Sequence, residues 1–315
     1  MRALLCPASL KGVLTARAAA AALARGVRAA GGDAIELPVA DGGEGTADVL
    51  YAALAGEWRE VVVSDPLGRP HPARWLLLPD GRAVVEAAAA IGLPLLTRSE
   101  RDPLVTSSRG MGELVSAAVA DGPAELVVGL GGSATVDGGE GLREVLRALP
   151  VRTTVLCDVR TTLTDAARLF GPQKGATAET VPVLERRLAA MEELAPYAEL
   201  PGAGAAGGLG AALAALGAEL VAGAPAVLEL VGFDARLRDA YVVVTGEGQV
   251  DRTTAEGKAP GVVAARSAQA GVRCVVFGGR VVEPVAGAET VSLSGDRKRA
   301  EADLEDLGRS LAFSK

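Results

Sequence analysis

Residues 3–55 decide the fold: Ala3-Leu4-Leu5-Cys6, then Pro7-Ala8-Ser9-Leu10-Lys11-Gly12, then Thr15 ahead of an alanine-rich run 16–30 closed by Gly31-Gly32. Ala34–Val39 follows, then Asp41-Gly42-Gly43-Glu44-Gly45-Thr46 and an apolar run to about residue 55. The apolar stretches 3–6 and 34–39 read as buried strands, and Thr15 as the N-cap of a helix over 16–30. Strand, helix, strand, helix in that order is the grammar of an α/β domain built on a parallel sheet.

Beyond residue 58 the texture changes. Arg59–Ser64 and Arg74–Leu78 predict an antiparallel pair, and Asp80-Gly81 marks a turn before a strand over 83–89. From Thr106 the alternation resumes, with a helix over 108–120, a strand over 125–130, a helix after Gly138 and a strand over 153–157. Residues 180–230 read as helical, broken at Pro201–Gly210. Strands over 241–245, 273–277 and 289–293 and a helix over 297–312 close the chain. The expected architecture pairs the first and last α/β segments, 1–61 and 238–315, in one domain, with 62–237 inserted as a second α/β domain.

Composition narrows the function. Of 315 residues, 49% are hydrophobic, enough for a sizeable core, and the 40 glycines cluster in short runs between periodic segments. Net charge is −7 and aromatics are 3%, so neither a phosphate-tracking groove nor a base-stacking surface is suggested, and nucleic acid is not expected as a partner. Cys6, Cys157 and Cys274 lie far apart in apolar strands and read as reduced, buried thiols, which points to the cytoplasm. The apolar run Met1–Pro7 is too short for a signal segment, and no stretch reaches membrane-span length, so no membrane contact is expected. A homodimer is left open.

One internal echo carries chemistry. Asp41-Gly42-Gly43-Glu44-Gly45 recurs as Asp137-Gly138-Gly139-Glu140-Gly141, each after an apolar strand and at a helix start. Glycines there allow close backbone approach to an anion, and the acids can hold Mg²⁺ or a hydroxyl. The competing view makes Asp and Gly ordinary turn and cap residues. Gly129-Leu130-Gly131-Gly132-Ser133-Ala134 also satisfies G-x-G-x-x-A after a strand, and Asp158 stands at the tip of the next strand. That combination keeps an NAD(P)-dependent oxidoreductase open as an alternative. Gly202–Gly207 matches the same pattern but follows a helical segment, so it fails the context test. Lys11 and Lys174 sit in glycine-flanked turns where a lysine can neutralise phosphate oxygens. Thr245-Gly246-Glu247-Gly248-Gln249-Val250-Asp251 leaves a strand ahead of Lys258, which gives two acids and a lysine suited to phosphoryl transfer. No Walker A pattern occurs, and the single histidine, His71, lies in the hairpin region.

PASLKG at 7–12, ADGGEGT at 40–46, GLGGSAT-x-DGG at 129–139, FGPQKGA at 170–176, PGAGAAGGLG at 201–210 and TGEG-x-x-D at 245–251 together resemble the bacterial glycerate kinase family, in order along nearly the whole chain. The resemblance implies a flavodoxin-like, Rossmann-like three-layer domain with an inserted α/β domain. It implies transfer of the γ-phosphoryl group of ATP, with Mg²⁺, to a hydroxyl of glycerate, giving 2- or 3-phosphoglycerate. On it, Asp41, Lys11 and Asp251 are the expected catalytic residues. Ser9, Gly42, Gly43, Glu44, Thr46, Gly131, Gly132, Ser133, Asp137, Gln173, Lys174, Gly246 and Glu247 are expected to bind substrate or nucleotide, and Asp251 and Asp158 to hold metal. Ala8 stands where the family carries Asp, Val136 where it carries Asn, Thr161-Thr162 in place of Asn-Pro, and Thr253 in place of Gln. Ala8 and Val136 motivate a third reading, a non-catalytic relative that binds nucleotide or metabolite.

Overall fold

Strand β1 (Arg2–Pro7) is buried from Ala3 to Pro7, as expected of a parallel strand covered on both faces. The computed structural model describes residues 2–311. The helix Ala16–Ala29 starts at Thr15, whose hydroxyl accepts from the Ala18 N–H at 3.1 Å. It ends in a Schellman motif: the Gly31 N–H donates to Arg28 O and the Gly32 N–H to Val27 O, each at 3.0 Å, with Gly31 at φ +80°.

The chain forms two compact units. One comprises residues up to Asp41, Asp48–Leu54 and residues from Ala224 onward; the other comprises Gly42–Ala47 and Ala55–Gly223. The boundary falls inside the first Asp-Gly-Gly-Glu-Gly loop.

In the first unit, β1 pairs with β2 (Asp33–Glu36). Numbering strands along the chain, β9 is Val242–Val250, β10 Arg273–Val281 and β11 Glu289–Ser292. All pair in parallel, in the order β11-β10-β9-β1-β2. Counted within this unit alone, that is strand order 2-1-3-4-5, the flavodoxin-like arrangement, with its switch point between β1 and β9. Ala3, Leu5, Val242, Val244, Val275 and Phe277 form one core face with residues of the helices Ala16–Ala29 and Ala300–Ser310. The helix Ala259–Gln269, whose first turn carries Pro260, packs against β9 and β10. The two helices on the first face meet through glycine. A Cβ on Gly26 would lie 2.0 Å from the Glu305 carbonyl oxygen, and one on Gly308 2.4 Å from that of Leu23.

The second unit holds a six-stranded mixed sheet in sequential order: β3 (Glu57–Ser64), β4 (Pro70–Leu77), β5 (Arg82–Glu86), β6 (Glu125–Gly129), β7 (Thr153–Cys157) and β8 (Glu219–Ala222). The first three strands are antiparallel and the rest parallel. The helix Arg109–Ala120 buries Met111, Leu114, Val115 and Ala118 in the same core cluster as Val85, Leu126, Val128 and Val155.

Two expectations change here. The strand expected over 83–89 ends at Glu86, and Ala87–Ile91 is a short helix because four consecutive alanines favour helix once pairing stops. The stretch 180–230 is not wholly helical. Glu219–Ala222 pairs with Thr154–Cys157 as a half-buried edge strand too short to show a period.

Candidate functional site

Two polar sites emerge, one in each unit. In the first, a cavity of about 640 Å³ opens beyond the carboxyl ends of the parallel strands. Ligands bind in that position in open α/β sheets. Ser9 and Lys11 reach it from the loop after β1, Asp41 from the segment after β2, Glu247, Gln249 and Asp251 from the end of β9, and Arg280 from β10. The loop after β1 is fixed by its own turns. The Ala8 N–H donates to Gly246 O at 2.9 Å, Leu10 and Leu14 bridge, and Arg297 Nη2 donates to Gly12 O at 2.6 Å. Gly246 itself is buried within β9, where a Cβ would lie 2.2 Å from the Phe277 carbonyl oxygen.

The carboxylates of this cavity differ in character. Asp251 caps the short helix Arg252–Ala255, accepting from the Thr253 N–H at 2.9 Å and the Thr253 hydroxyl at 2.5 Å, while Gln249 Nε2 donates to its other oxygen at 2.8 Å. The Thr253 hydroxyl first, and the Gln249 amide next, hold its pKa down at about 2. Asp251 is therefore a permanent charge. Glu247 behaves oppositely. Burial pushes its pKa up, against a bond from the Thr254 hydroxyl at 2.7 Å and from Lys258 Nζ at 3.4 Å, and the charge of Asp41 pushes the same way as burial. Among the described residues, no group of three or more His, Cys, Asp or Glu side chains converges to hold a metal ion.

The second site is built around Lys174. Lys174 is 3% exposed, and its ammonium donates to Ser133 Oγ at 3.0 Å and to the Thr135 carbonyl at 2.8 Å. Burial draws its pKa down to about 8, against the opposing pull of Asp137 and Asp158. Asp137, 1% exposed, accepts from the Ser108 N–H and the Ser108 hydroxyl at 2.8 Å each, and from the Gly139 and Gly141 N–H groups at 3.2 and 3.3 Å. Its oxygens thus tie the start of the helix Glu140–Val145 to Ser108. Gln173, in the short turn Pro172–Lys174, and Asp158, just past β7, are exposed. Asp158 and Asp251, the metal pair expected from sequence, belong to different units.

The first echo packs against the glycine turn after β6. A Cβ on Gly131 would lie 2.3 Å from Gly43 Cα, and one on Gly129 2.9 Å from Gly42 O. Thr46 is buried, its N–H donating to Glu86 Oε1 at 2.8 Å and its hydroxyl to Gly43 O at 2.7 Å. Glu44 stays exposed, and a Cβ on Gly132 would come within 3.5 Å of its carboxylate. Gly202–Gly210 likewise serves packing. Ala206, Gly207 and Gly208 are consecutive left-handed residues, and the Gly138 N–H donates to Gly207 O at 3.0 Å.

Sequence reading expects one site from residues that the structure divides, with Ser9, Lys11, Asp41, Glu247 and Asp251 at the cavity of the first unit and Ser133, Asp137 and Lys174 in a buried cluster of the second. It missed Ser108, Arg280 and Arg297. Ser108 carried the ordinary signal of a helix cap, yet its hydroxyl serves Asp137 and accepts from the Leu142 N–H at 3.0 Å. Arg280 lies past the point where the sequence ends its strand.

A model of the glycerate kinase family matches residues 3–153 and 146–295. The chain belongs to the glycerate kinase family. It is 40% identical over 305 residues to glycerate kinase of Bacillus subtilis (strain 168), covering 82% of this chain and 80% of that one. It is 38% identical over 305 residues to glycerate 2-kinase of Escherichia coli (strain K12), with the same coverage. A crystal structure of a protein assigned as glycerate kinase 2 from Salmonella typhimurium LT2 superposes with a TM-score of 0.85 at 33% identity, covering 99% of this chain and 97% of that one.

Family membership overturns the oxidoreductase alternative, and the geometry gives the reason. The glycines of the turn Gly129–Ala134 admit the backbone of Gly42 and Gly43, which lies where a Cβ on Gly129 or Gly131 would sit. The helix that follows has six residues. The relatives named above are kinases, so the non-catalytic reading has no support from them either. Cys6, Cys157 and Cys274 are free and buried as expected, and burial raises all three thiol pKa values. No helix among the described residues is long and apolar enough to cross a membrane.

Proposed function

We infer that this chain is a glycerate kinase, moving the γ-phosphoryl group of ATP to a hydroxyl of glycerate to give 2- or 3-phosphoglycerate. What supports the reading is the cavity at the switch point in a chain of this family, where Lys11, Lys258 and Arg280 share one space with Asp41, Glu247 and Asp251. Phosphoryl transfer asks the protein for position and charge neutralisation more than for covalent chemistry.

Each residue takes a role from its own chemistry. Lys11, exposed at the loop tip, neutralises phosphate oxygens as a point charge. Asp251, ionised at every working pH, is a poor proton acceptor and a good holder of positive charge. Mg²⁺ is usually held by one or two carboxylates together with substrate phosphates, so Asp251 with Glu247 suffices and a three-carboxylate cage is not needed. When bound, the ion neutralises charge on the transferring phosphate. Asp41 receives the hydroxyl proton, beside a Glu247 whose pKa is raised chiefly by burial and only lastly by the charge of Asp41. In the second unit, Lys174 holds Ser133 in place through its bond to the hydroxyl. A cytoplasmic location accords with the three reduced thiols.

The test is a coupled assay of ADP release with ATP, Mg²⁺ and a panel of small hydroxy acids. D-glycerate is expected to give the highest kcat/KM. Absence of glycerate-dependent ADP release from folded protein removes the proposal.

A further inference from the structure

Asp251 lines the cavity of the first unit with most of its hydrogen-bonding capacity already spent on its own neighbours. We propose that Thr253 makes this carboxylate a one-oxygen ligand and thereby sets the preference of the site for Mg²⁺ over the larger Ca²⁺. The proposal rests on the kinase reading, which puts a divalent ion at Asp251, and adds a specificity-determining residue to it.

The two oxygens of Asp251 are unequally occupied. A carboxylate oxygen accepts about two partners. Oδ1 takes the Thr253 N–H at 2.9 Å and the Thr253 hydroxyl at 2.5 Å, and is filled by them. Oδ2 takes Gln249 Nε2 at 2.8 Å and keeps room for one more partner. An ion in the cavity therefore meets Asp251 through Oδ2 alone. Because one residue supplies both bonds to Oδ1, its backbone and side chain together hold the carboxylate against turning that oxygen outward.

The neighbouring carboxylate is held as firmly. Thr254 is buried, and its hydroxyl accepts from the Asp251 N–H at 3.1 Å and donates to Glu247 Oε1 at 2.7 Å, so one side chain ties both acids to the turn after β9. Lys258 Nζ stands 3.4 Å from Glu247 Oε2, which gives each oxygen of Glu247 a partner too. Ca²⁺ takes about six to eight oxygens in a flexible shell and often uses both oxygens of one carboxylate, whereas Mg²⁺ demands a near-octahedral shell and keeps several waters. Acids fixed in a tight turn, one of them closed on one oxygen, suit the smaller ion and penalise the larger. Thr253 itself is exposed, and valine in its place keeps the N–H that caps the helix while removing the hydroxyl.

The experiment measures, by calorimetry, binding of the non-hydrolysable ATP analogue adenylyl imidodiphosphate with excess Mg²⁺ and with excess Ca²⁺ to the wild-type protein, Thr253→Val and Thr253→Ser. Wild type is expected to bind the Mg²⁺ complex more tightly. In Thr253→Val the ratio of Mg²⁺-complex to Ca²⁺-complex affinity is expected to fall at least about tenfold, chiefly through tighter binding of the Ca²⁺ complex, and in Thr253→Ser to stay within about twofold of wild type. A purely structural role for Thr253 weakens both complexes together and leaves the ratio unmoved; that result overturns the proposal, as does a Thr253→Ser protein that behaves like Thr253→Val. A shifted ratio in a protein that phosphorylates no hydroxy acid supports the proposal and counts against the kinase reading. An unshifted ratio in a protein that phosphorylates glycerate overturns the proposal alone.

Discussion

Replacing Lys174 with methionine separates the energetics of a buried cation from its role in the site. The ammonium is shut off from water and reaches two oxygens, Ser133 Oγ and Thr135 O, yet burial outweighs them and its pKa falls from 10.5 to about 8. A tenfold loss of proton affinity corresponds to about 1.4 kcal/mol, so keeping the lysine charged costs the native state roughly 3 kcal/mol at pH 7. The sign follows from proton binding. Between pH 8 and 10.5 the unfolded chain holds a proton that the native lysine has given up, so stability from this group rises with pH and is lost as pH falls towards 8. At pH 9.5 the cost has dropped by more than half. Urea unfolding of wild type and K174M at both values should therefore show the wild type gaining about 2 kcal/mol relative to the variant between pH 7 and 9.5. The three buried thiols, with raised pKa values, produce the opposite slope at alkaline pH. They are present in both proteins and cancel in the difference. A difference independent of pH would refute the reasoning. Activity of K174M should fall at least about a hundredfold while the fold persists, because Ser133 loses the donor that positions it.

Asp251→Asn keeps a good helix cap but removes the charge. Stability should change by less than about 1 kcal/mol while kcat drops by about two orders of magnitude, measured by ADP release beside a thermal melt. Asp137→Ala strips four donors of a buried acceptor and should cost about 3–5 kcal/mol in urea unfolding. Gly26→Ala tests the helix contact of the first unit. Propensity alone predicts a gain of about 1 kcal/mol, but the Glu305 carbonyl lies where the methyl would sit, so a net loss of about 1–3 kcal/mol is expected from urea melts.

The fold was legible where a local signal coincided with burial. Thr15 and Gly31-Gly32 delimit their helix by backbone chemistry that any sequence displays, and the apolar runs of β1, β9 and β10 are continuous because both faces of a parallel sheet are covered. The edge strand Glu219–Ala222 was hidden because four half-buried residues show no period. The alanine run after Glu86 satisfies both strand and helix patterns, and only the end of pairing at β5 decides between them.

The site was legible as loops and less so as chemistry. Ser9, Lys11, Asp41, Glu247 and Asp251 share a cavity because parallel strands deliver their carboxyl ends to one edge, which strand order implies. The burial of Lys174 and the pairing of Asp137 with Ser108 depend on contacts between segments tens of residues apart, and no spacing encodes them. The echo itself proved to be two things. Both copies use glycine to admit neighbouring backbone, while Asp41 lines the cavity and Asp137 is consumed in holding a helix start.

The central claim, that this chain phosphorylates a hydroxyl of glycerate, is met most directly by phosphorus NMR of protein incubated with ATP, Mg²⁺ and D-glycerate. The account predicts a new phosphomonoester resonance growing with ADP, split into a doublet if the hydroxyl on the central carbon is the acceptor or a triplet if it is the terminal one. ATP left intact, or converted only to ADP and inorganic phosphate, would contradict it.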